Sequence, residues 1–367
     1  MRILMTCGGT AGHVNPAIAI ADTIKEKEPN AIIQFVCSSN KGDKAKDLVP
    51  RANYSAPLTV DICGRYQLWN PKNIKTLYLM LKSRSQARKI IEDFKPDIII
   101  GTGGYACYPL LTVGAQMGIP TCVHESNAIP GKAVKRLASK IDCVMTNFDA
   151  SDILKNAKKL VRTGNPNIIK KETKAVAIKD DESDYKSSVL IFGGSLGAPA
   201  LNSECAKALI NIAAKYPSVE FIHGCGKRDH ERMSKEYSEL GLDVQANVKL
   251  LDYIYDMNEK MAKADIVISR AGAMTLSELA LLGKAAILVP SPNVADQHQY
   301  KNAKALFDKD ACILIEEKQY GTGALEKAIT LLLTDKSKRE SLQKNIVGFA
   351  NPCSNETIYN EIKRLIK

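Results

Sequence analysis

Two glycine-rich segments, one in each half of the chain, have the residue types and spacing to hold a phosphate. The first is Gly8-Gly9-Thr10-Ala11-Gly12-His13, directly after the apolar run Ile3-Leu4-Met5. The second is Gly193-Gly194-Ser195-Leu196-Gly197-Ala198, directly after Val189-Leu190-Ile191-Phe192. A strand, a glycine turn and a helix in that order aim backbone N–H groups and the positive end of a helix dipole at whatever lies above the sheet. One such turn is often only a tight βα connection. Two of them, roughly 185 residues apart, predict two similar α/β domains facing each other across a cleft.

His13 stands at the mouth of the first loop. An imidazole with a pKa of about 6.5 takes a hydroxyl proton at neutral pH, so a general base is expected here, with loop bracing as the plainer alternative. Ligands of parallel α/β folds collect beyond the carboxyl ends of strands. That rule selects His124-Glu125-Ser126-Asn127, Gly224-Cys225-Gly226-Lys227, Arg270-Ala271-Gly272-Ala273-Met274-Thr275, and Asp296-Gln297-His298-Gln299 with Asn302. Glu278, one turn into the helix after Gly272, is placed to accept hydrogen bonds from a ribose diol; plain stabilisation by the helix dipole is its alternative. Arg270 suits either a phosphate or a buried carboxylate. His124 and His223 end apolar runs and are expected to brace loops, and His230 lies in a charged, solvated stretch. With no His-x-x-x-His spacing, acidic cluster or Cys-x-x-Cys pair, no protein-bound metal is expected.

Strand and helix signals alternate along the whole chain. Strands are predicted at Ile3–Thr6, Ile32–Val36, Ile98–Ile100, Thr121–Val123, Cys143–Met145 and Leu160–Arg162, then at Val189–Phe192, Glu220–His223, Val248–Leu250, Ile266–Ser269, Ala286–Val289 and Cys312–Ile315. Helices fit between them at Pro16–Lys27, Ile74–Phe94, Leu110–Met117, Lys132–Ser139, Ala200–Lys215, Met274–Leu282 and Gln299–Phe307, with Pro16 in a first helical turn. Short apolar strands separated by helices predict parallel sheets. The charged segment Lys170–Lys186 reads as the linker, or as the first loop of the second domain. The expected division is 1–163, 164–350 and a closing helix within 351–367, read over Thr357–Lys367.

The 367 residues suffice for two domains with their own cores. The composition, 45% apolar and 25% charged, is that of a soluble globular protein, and no apolar run is long enough to span a bilayer. The N-terminus reads as a first strand, not a signal peptide. Ten scattered cysteines predict mostly buried free thiols and a reducing compartment. The net charge of +11 sits almost wholly in residues 1–163, which hold 23 Lys and Arg against 13 Asp and Glu, a balance of +10. The first half is therefore expected to meet something anionic. No helix-turn-helix, zinc-finger or aromatic RNA-binding signature points to nucleic acid. Between Ile62 and Lys89, Tyr66, Trp69, Tyr78 and Leu81 mix with Arg65, Lys72, Lys75, Lys82 and Arg84, which suits a membrane surface; an amphipathic helix with a solvated basic face is the alternative.

Seven stretches in order resemble the MurG family, over nearly the whole chain: Gly8 to Pro16, Gly103-Gly104-Tyr105, His124 to Ala128, Thr163-Gly164-Asn165-Pro166, Gly193 to Ala198, Arg270 to Glu278, and Asp296 to Ala303. The resemblance implies a two-domain GT-B glycosyltransferase that moves GlcNAc from UDP-GlcNAc to a lipid-linked muramyl acceptor in peptidoglycan synthesis. It implies a peripheral enzyme on the cytoplasmic face of the membrane, with UDP-GlcNAc as substrate and no cofactor. On the donor side it implies Ile254 backbone at the uracil, Ser195 at the diphosphate, Glu278 at the ribose, and His298, Gln299 and Asn302 near the sugar. Thr10, Gly12, Arg270, Ala273, Met274 and Thr275 complete that side. His13 and Asn127 would face the reaction centre, with Gly103, Gly104 and Tyr105 on the acceptor side.

The chain departs from the family at Ala11 (usually glycine), at Ser126 and Leu196 (usually glutamine) and at Ile168 (usually arginine). Cys107-Tyr108 replaces a common Ser-Gly pair, and Gly224-Cys225 replaces a polar pair. These changes keep open a divergent transferase acting on another lipid-linked or glycan acceptor, and a non-catalytic nucleotide-sugar-binding protein. Oligomeric state is left open.

Overall fold

The computed structural model describes residues 1–62, 72–167, 186–194 and 197–366, without the side chains of 72–77 and 295. Within them the chain forms two compact units, residues 1–168 with 351–367 and residues 169–350. The predicted linker, apart from Lys186, lies outside the described residues, as do Arg65, Tyr66, Trp69, Ile168, Ser195, Leu196 and Cys63.

The first unit alternates β1 (Arg2–Thr6), α1 (Ala11–Lys27), β2 (Ile32–Ser38), α2 (Ala45–Arg51), β3 (Leu58–Val60), α3 (Lys72–Phe94), β4 (Ile98–Gly101), α4 (Cys107–Gln116), β5 (Thr121–Glu125), α5 (Lys132–Leu137), β6 (Cys143–Thr146) and β7 (Leu160–Arg162). Its seven strands are all parallel, in the order β3-β2-β1-β4-β5-β6-β7. The second unit contains β8 (Ser187–Phe192), α6 (Pro199–Ala213), β9 (Val219–Gly224), α7 (His230–Glu239), β10 (Val248–Leu251), α8 (Met257–Lys263), β11 (Ile266–Ser269), α9 (Ala273–Leu282), β12 (Ala285–Leu288), α10 (His298–Phe307), β13 (Ile313–Leu314), α11 (Ala324–Thr334) and α12 (Lys336–Val347). Its parallel order, β10-β9-β8-β11-β12-β13, repeats that of the first unit. In each sheet the chain reverses direction of growth beside the first strand, which opens a crevice at the carboxyl ends of β1 and β4, and again of β8 and β11.

The strands are apolar on both faces because both faces are covered. Along β1, Ile3 and Met5 pack with Ile20 and Ile24 of α1, while Leu4 between them points the other way, towards Ile91 of α3 and Leu110 of α4. In the second unit Val189 and Ile191 join Leu201, Leu209 and Phe221 in one core.

Three details differ from the sequence expectation. Helix α1 begins at Ala11, so Pro16 lies inside it rather than in its first turn. Thr10 is extended (φ −112°, ψ 160°) and its carbonyl already accepts from the N–H groups of His13 and Val14 at 3.1 and 3.3 Å. A proline in the second turn then forgoes only the bond to Gly12. The short edge strand β3 and helices α2, α7, α8, α11 and α12 carry no signal strong enough to have been named. The closing helix α13 (Ser354–Ile366) is part of the first unit, and so are residues 164–167. Ile358 and Ile362 are buried in the first core, and Lys27–Glu356, Lys363–Glu28 and Lys159–Glu361 pair at 2.5, 2.7 and 2.5 Å.

Nine cysteines are described and all are free; eight are buried, and Cys353 is exposed. No helix among the described residues is long and apolar enough to cross a membrane.

Candidate active-site elements in the two units

In the first unit two glycine pairs meet at the carboxyl ends of β1 and β4. Gly9 (φ 84°), Gly103 (φ 97°) and Gly104 (φ 83°) are all left-handed. A Cβ on Gly104 would stand 2.5 Å from the Gly8 carbonyl oxygen, and one on Gly103 would stand 2.6 Å from Cδ2 of His13. The imidazole therefore lies against bare backbone. Its Nδ1 is 3.2 Å from the Gly8 carbonyl and 3.4 Å from Thr10 Oγ1. A carbonyl only accepts, so in the neutral ring Nδ1 carries the proton and Nε2 the lone pair. From below, Thr102 Oγ1 donates to the His13 carbonyl at 2.7 Å. The loop has a second support, unseen in the sequence. Buried Asp43 accepts from Ser38 N (3.1 Å), Ser38 Oγ (2.7 Å) and Ala45 N (3.0 Å), and a Cβ on Gly8 would stand 2.6 Å from its carboxylate.

This packing predicts the outcome of Gly103→Ala. A side chain there meets both a left-handed φ and the His13 ring, so stability falls by about 1–3 kcal/mol and turnover falls as well. Gly118 is also left-handed (φ 75°) but has nothing within 4 Å. Gly118→Ala should lose stability alone. Urea melts and initial rates on the two variants separate strain from displacement of His13.

Asn127 follows β5, and its placement depends on Glu125. The Glu125 carboxylate accepts from Asn127 N and Nδ2, both at 3.0 Å, and from Gly131 N at 2.9 Å. Glu125 thus orients Asn127, a role its sequence position did not reveal. Beneath it, fully buried His124 faces the Gly164 carbonyl with Nε2 at 2.9 Å, a brace as expected; burial pushes its pKa below the usual range. Cys107 turns inward, with Sγ 3.0 Å from Thr6 O and 2.8 Å from Gly103 O, and burial pushes its thiol up to about 12. Tyr105 is exposed, and Tyr108 accepts from Lys140 Nζ at 2.8 Å.

In the second unit the turn after β8 has Gly194 left-handed (φ 97°), and a Cβ on Gly193 would stand 2.4 Å from that of Ala198. The turn after β9 is set by Ile254, whose Cδ1 would stand 2.6 Å from a Cβ on Gly224. Ile254 is 5% exposed and leads into the turn at residues 255–256 that precedes α8. Tyr253 and Tyr255, on either side of it, meet edge to face at 4.9 Å beside Lys227.

Helix α9 starts after Gly272 without a side-chain cap, so the N–H groups of Ala273, Met274 and Thr275 are its first-turn donors. Glu278 is half-buried near this end. No hydrogen bond or ion pair reaches its carboxylate among the described residues, and burial pushes it up to about 7. Arg270 takes the carboxylate option: it donates to Glu317 at 2.5 Å and to the Val289 carbonyl at 3.1 Å. Asn302 Nδ2 donates to Ala271 O at 3.3 Å, and Gln299 Oε1 accepts from Ser291 N at 2.9 Å. These residues brace the loops around α9. His298 opens α10 after two left-handed residues, Asp296 (φ 52°) and Gln297 (φ 51°).

The glycosyltransferase family 28 N-terminal domain matches residues 3–146, and the family 28 C-terminal domain matches residues 188–355. A UDP-N-acetylglucosamine–N-acetylmuramyl-(pentapeptide) pyrophosphoryl-undecaprenol N-acetylglucosamine transferase of Acetivibrio thermocellus is 38% identical over 375 residues, covering 100% of this chain and 99% of its own. The protein of the same name from Lactococcus lactis subsp. cremoris is 35% identical, with 100% and 99% covered. Among solved structures, MurG of Acinetobacter baumannii aligns with a TM-score of 0.79 at 27% identity, covering 99% of both chains. A UDP-GlcNAc 2-epimerase of Neisseria meningitidis bound to UDP-GlcNAc shares the fold, with a TM-score of 0.68 at 15% identity over 99% of this chain and 100% of its own.

Proposed function

The chain belongs to the MurG family of UDP-N-acetylglucosamine–N-acetylmuramyl-(pentapeptide) pyrophosphoryl-undecaprenol N-acetylglucosamine transferases, and from that premise we propose how its residues divide the reaction. The protein transfers GlcNAc from UDP-GlcNAc to the lipid-linked muramyl-pentapeptide of peptidoglycan synthesis. The second unit holds the donor and the first holds the acceptor.

The observation that carries the donor assignment is Glu278. A half-buried carboxylate without a partner is costly, and a ribose diol supplies the two donors it lacks. The backbone of Ile254, in the loop that leads into α8, would meet the uracil. The first-turn N–H groups of α9 and Gly193 and Gly194 after β8 would meet the diphosphate.

The acceptor hydroxyl attacks the anomeric carbon as UDP leaves, in one displacement that inverts the configuration. Nε2 of His13 takes the hydroxyl proton, and Asn127, oriented by Glu125, helps to place the reacting groups. Charge growing on the leaving diphosphate is met by fixed backbone donors, so turnover should survive EDTA. Loss of activity in EDTA that only a divalent ion restores would overturn this part. The test of the whole reading is release of UDP that requires the muramyl lipid, with a β-linked disaccharide as product.

We also infer that the first unit docks on an anionic membrane surface. Its +10 balance over residues 1–163 accompanies exposed Tyr78 and Leu81 on α3, beside Lys82, Arg84 and Arg88. Lys72 and Lys75 lie on the same helix, whereas Arg65 and Trp69 fall outside the described residues. Each cation near such a surface contributes on the order of 1 kcal/mol. The purified chain should sediment with phosphatidylglycerol vesicles at low salt and come off at high salt. Absence of binding at low salt would remove the claim.

A further inference from the structure

A chain of buried polar groups runs beneath the two turns that follow β8 and β9. Asn202 of α6, His223 of β9, and Tyr237 of α7 are each buried to within 2% of completely, and Asp229 is 6% exposed. Their hydrogens can be assigned by chemistry alone. One atom of the Asn202 amide lies 2.8 Å from the Cys225 carbonyl and 2.7 Å from the Asp229 carboxylate. Both of those only accept, so this atom is Nδ2, and the other, Oδ1, must accept. Nε2 of His223, 3.1 Å from Oδ1, therefore carries a hydrogen. Nδ1 of the neutral ring is left with a lone pair and takes the Tyr237 hydroxyl at 2.7 Å. Every hydrogen in the series points one way, from Tyr237 through His223 and Asn202 to Cys225 and Asp229.

The far end of this series bears on both sides of the turn. A Cβ on Gly197 (φ 78°) would stand 2.2 Å from the Cys225 carbonyl oxygen, and one on Gly224 would stand 2.6 Å from Ile254 Cδ1. The position of residues 224–226 therefore sets where Gly197 and Ile254 sit. We propose that Tyr237, His223 and Asn202 are positioning residues for the nucleotide, acting through the Cys225 carbonyl on Gly197 and through Gly224 on Ile254. The proposal rests on the reading that the second unit binds UDP.

Titration of the full chain with UDP tests it. Tyr237→Phe removes one hydroxyl and leaves Nδ1 of His223 without a donor. The Kd for UDP should rise about five- to twentyfold and the KM for UDP-GlcNAc by the same factor, with kcat within about twofold. Asn202→Leu fills nearly the same volume but neither accepts from His223 nor donates to Cys225. It should bind UDP as weakly as Asn202→Ala, whereas a space-filling role would leave it like wild type. In 15N spectra at pH 7 His223 should be protonated at Nε2 alone in the wild type and in Tyr237→Phe, where Oδ1 of Asn202 still accepts from it, and become a mixture in Asn202→Leu. UDP affinity within twofold of wild type in both Tyr237→Phe and Asn202→Leu would overturn the proposal, as would the opposite tautomer in the wild type. Wild-type chain that bound no UDP would instead sink the nucleotide reading itself.

Discussion

Replacing His13 by alanine lowers kcat by about two to four orders of magnitude, while KM for UDP-GlcNAc stays within about threefold. The asymmetry follows from what the ring touches. Nδ1 is committed to the Gly8 carbonyl at 3.2 Å, and Cδ2 of the ring lies against Gly103. The ring is thus held by the first unit and carries its lone pair at Nε2, whereas the proposed donor residues belong to the second unit. A proton acceptor acts in the transition state and contributes little to ground-state binding. His13→Asn sharpens the result. Its amide can still reach the Gly8 carbonyl but offers no basic nitrogen, so it should be as slow as alanine. Wild-type turnover by either variant at saturating substrate would remove His13 as the base.

The second large effect belongs to Glu278, and it has opposite signs for binding and stability. Glu278→Gln should weaken UDP-GlcNAc binding at least tenfold, because a carboxylate accepting from two ribose hydroxyls becomes an amide that can accept at one atom only. The free protein should become more stable above neutral pH. Burial raises the carboxyl from the usual 4.5 to about 7. Its contribution to stability is complete below pH 4.5 and is lost as pH rises through about 7, because above that the folded state must keep a charge in poorly solvating surroundings. At pH 8 the glutamine variant should therefore gain up to about 3 kcal/mol, and at pH 4.5 the difference should vanish. Urea melts of both proteins at the two pH values measure it. Equal stability across the range, or unchanged donor affinity, would contradict the assignment.

The parts of this site that were legible in the sequence are those built from neighbours. A glycine turn directly after an apolar strand declares itself locally, so both loops, the parallel strands and the position of His13 could be read. The alternation of short strands and helices predicted parallel sheets but not the order of their strands, which depends on which neighbours pair in space. The supports were hidden because they come from far along the chain. Asp43 braces Gly8 from the segment after β2, and Glu317 takes Arg270 from 47 residues away. Nothing local distinguishes these acids from solvated ones. The start of α1 was misread for a related reason. Pro16 carries a strong first-turn preference, but Thr10 and the two glycines before it had already turned the chain into a helix. The closing helix was legible as a helix but not as part of the first unit, since that depends on Ile358 and Ile362 finding a core built by β1 and α1. Cys107 stands where the family has a serine, and packing turns its thiol onto the carbonyls of Thr6 and Gly103.

The most direct test offers the full chain UDP-GlcNAc together with two acceptors in the same vesicles, the muramyl-pentapeptide pyrophosphoryl lipid and a diacylglycerol, and analyses the products by mass. The account predicts one product, the muramyl lipid heavier by a single N-acetylhexosamine, formed in step with UDP and absent in the His13→Ala protein on the same time scale. Transfer to the diacylglycerol alone, or no UDP release with either acceptor while the chain remains folded and binds UDP, would contradict it.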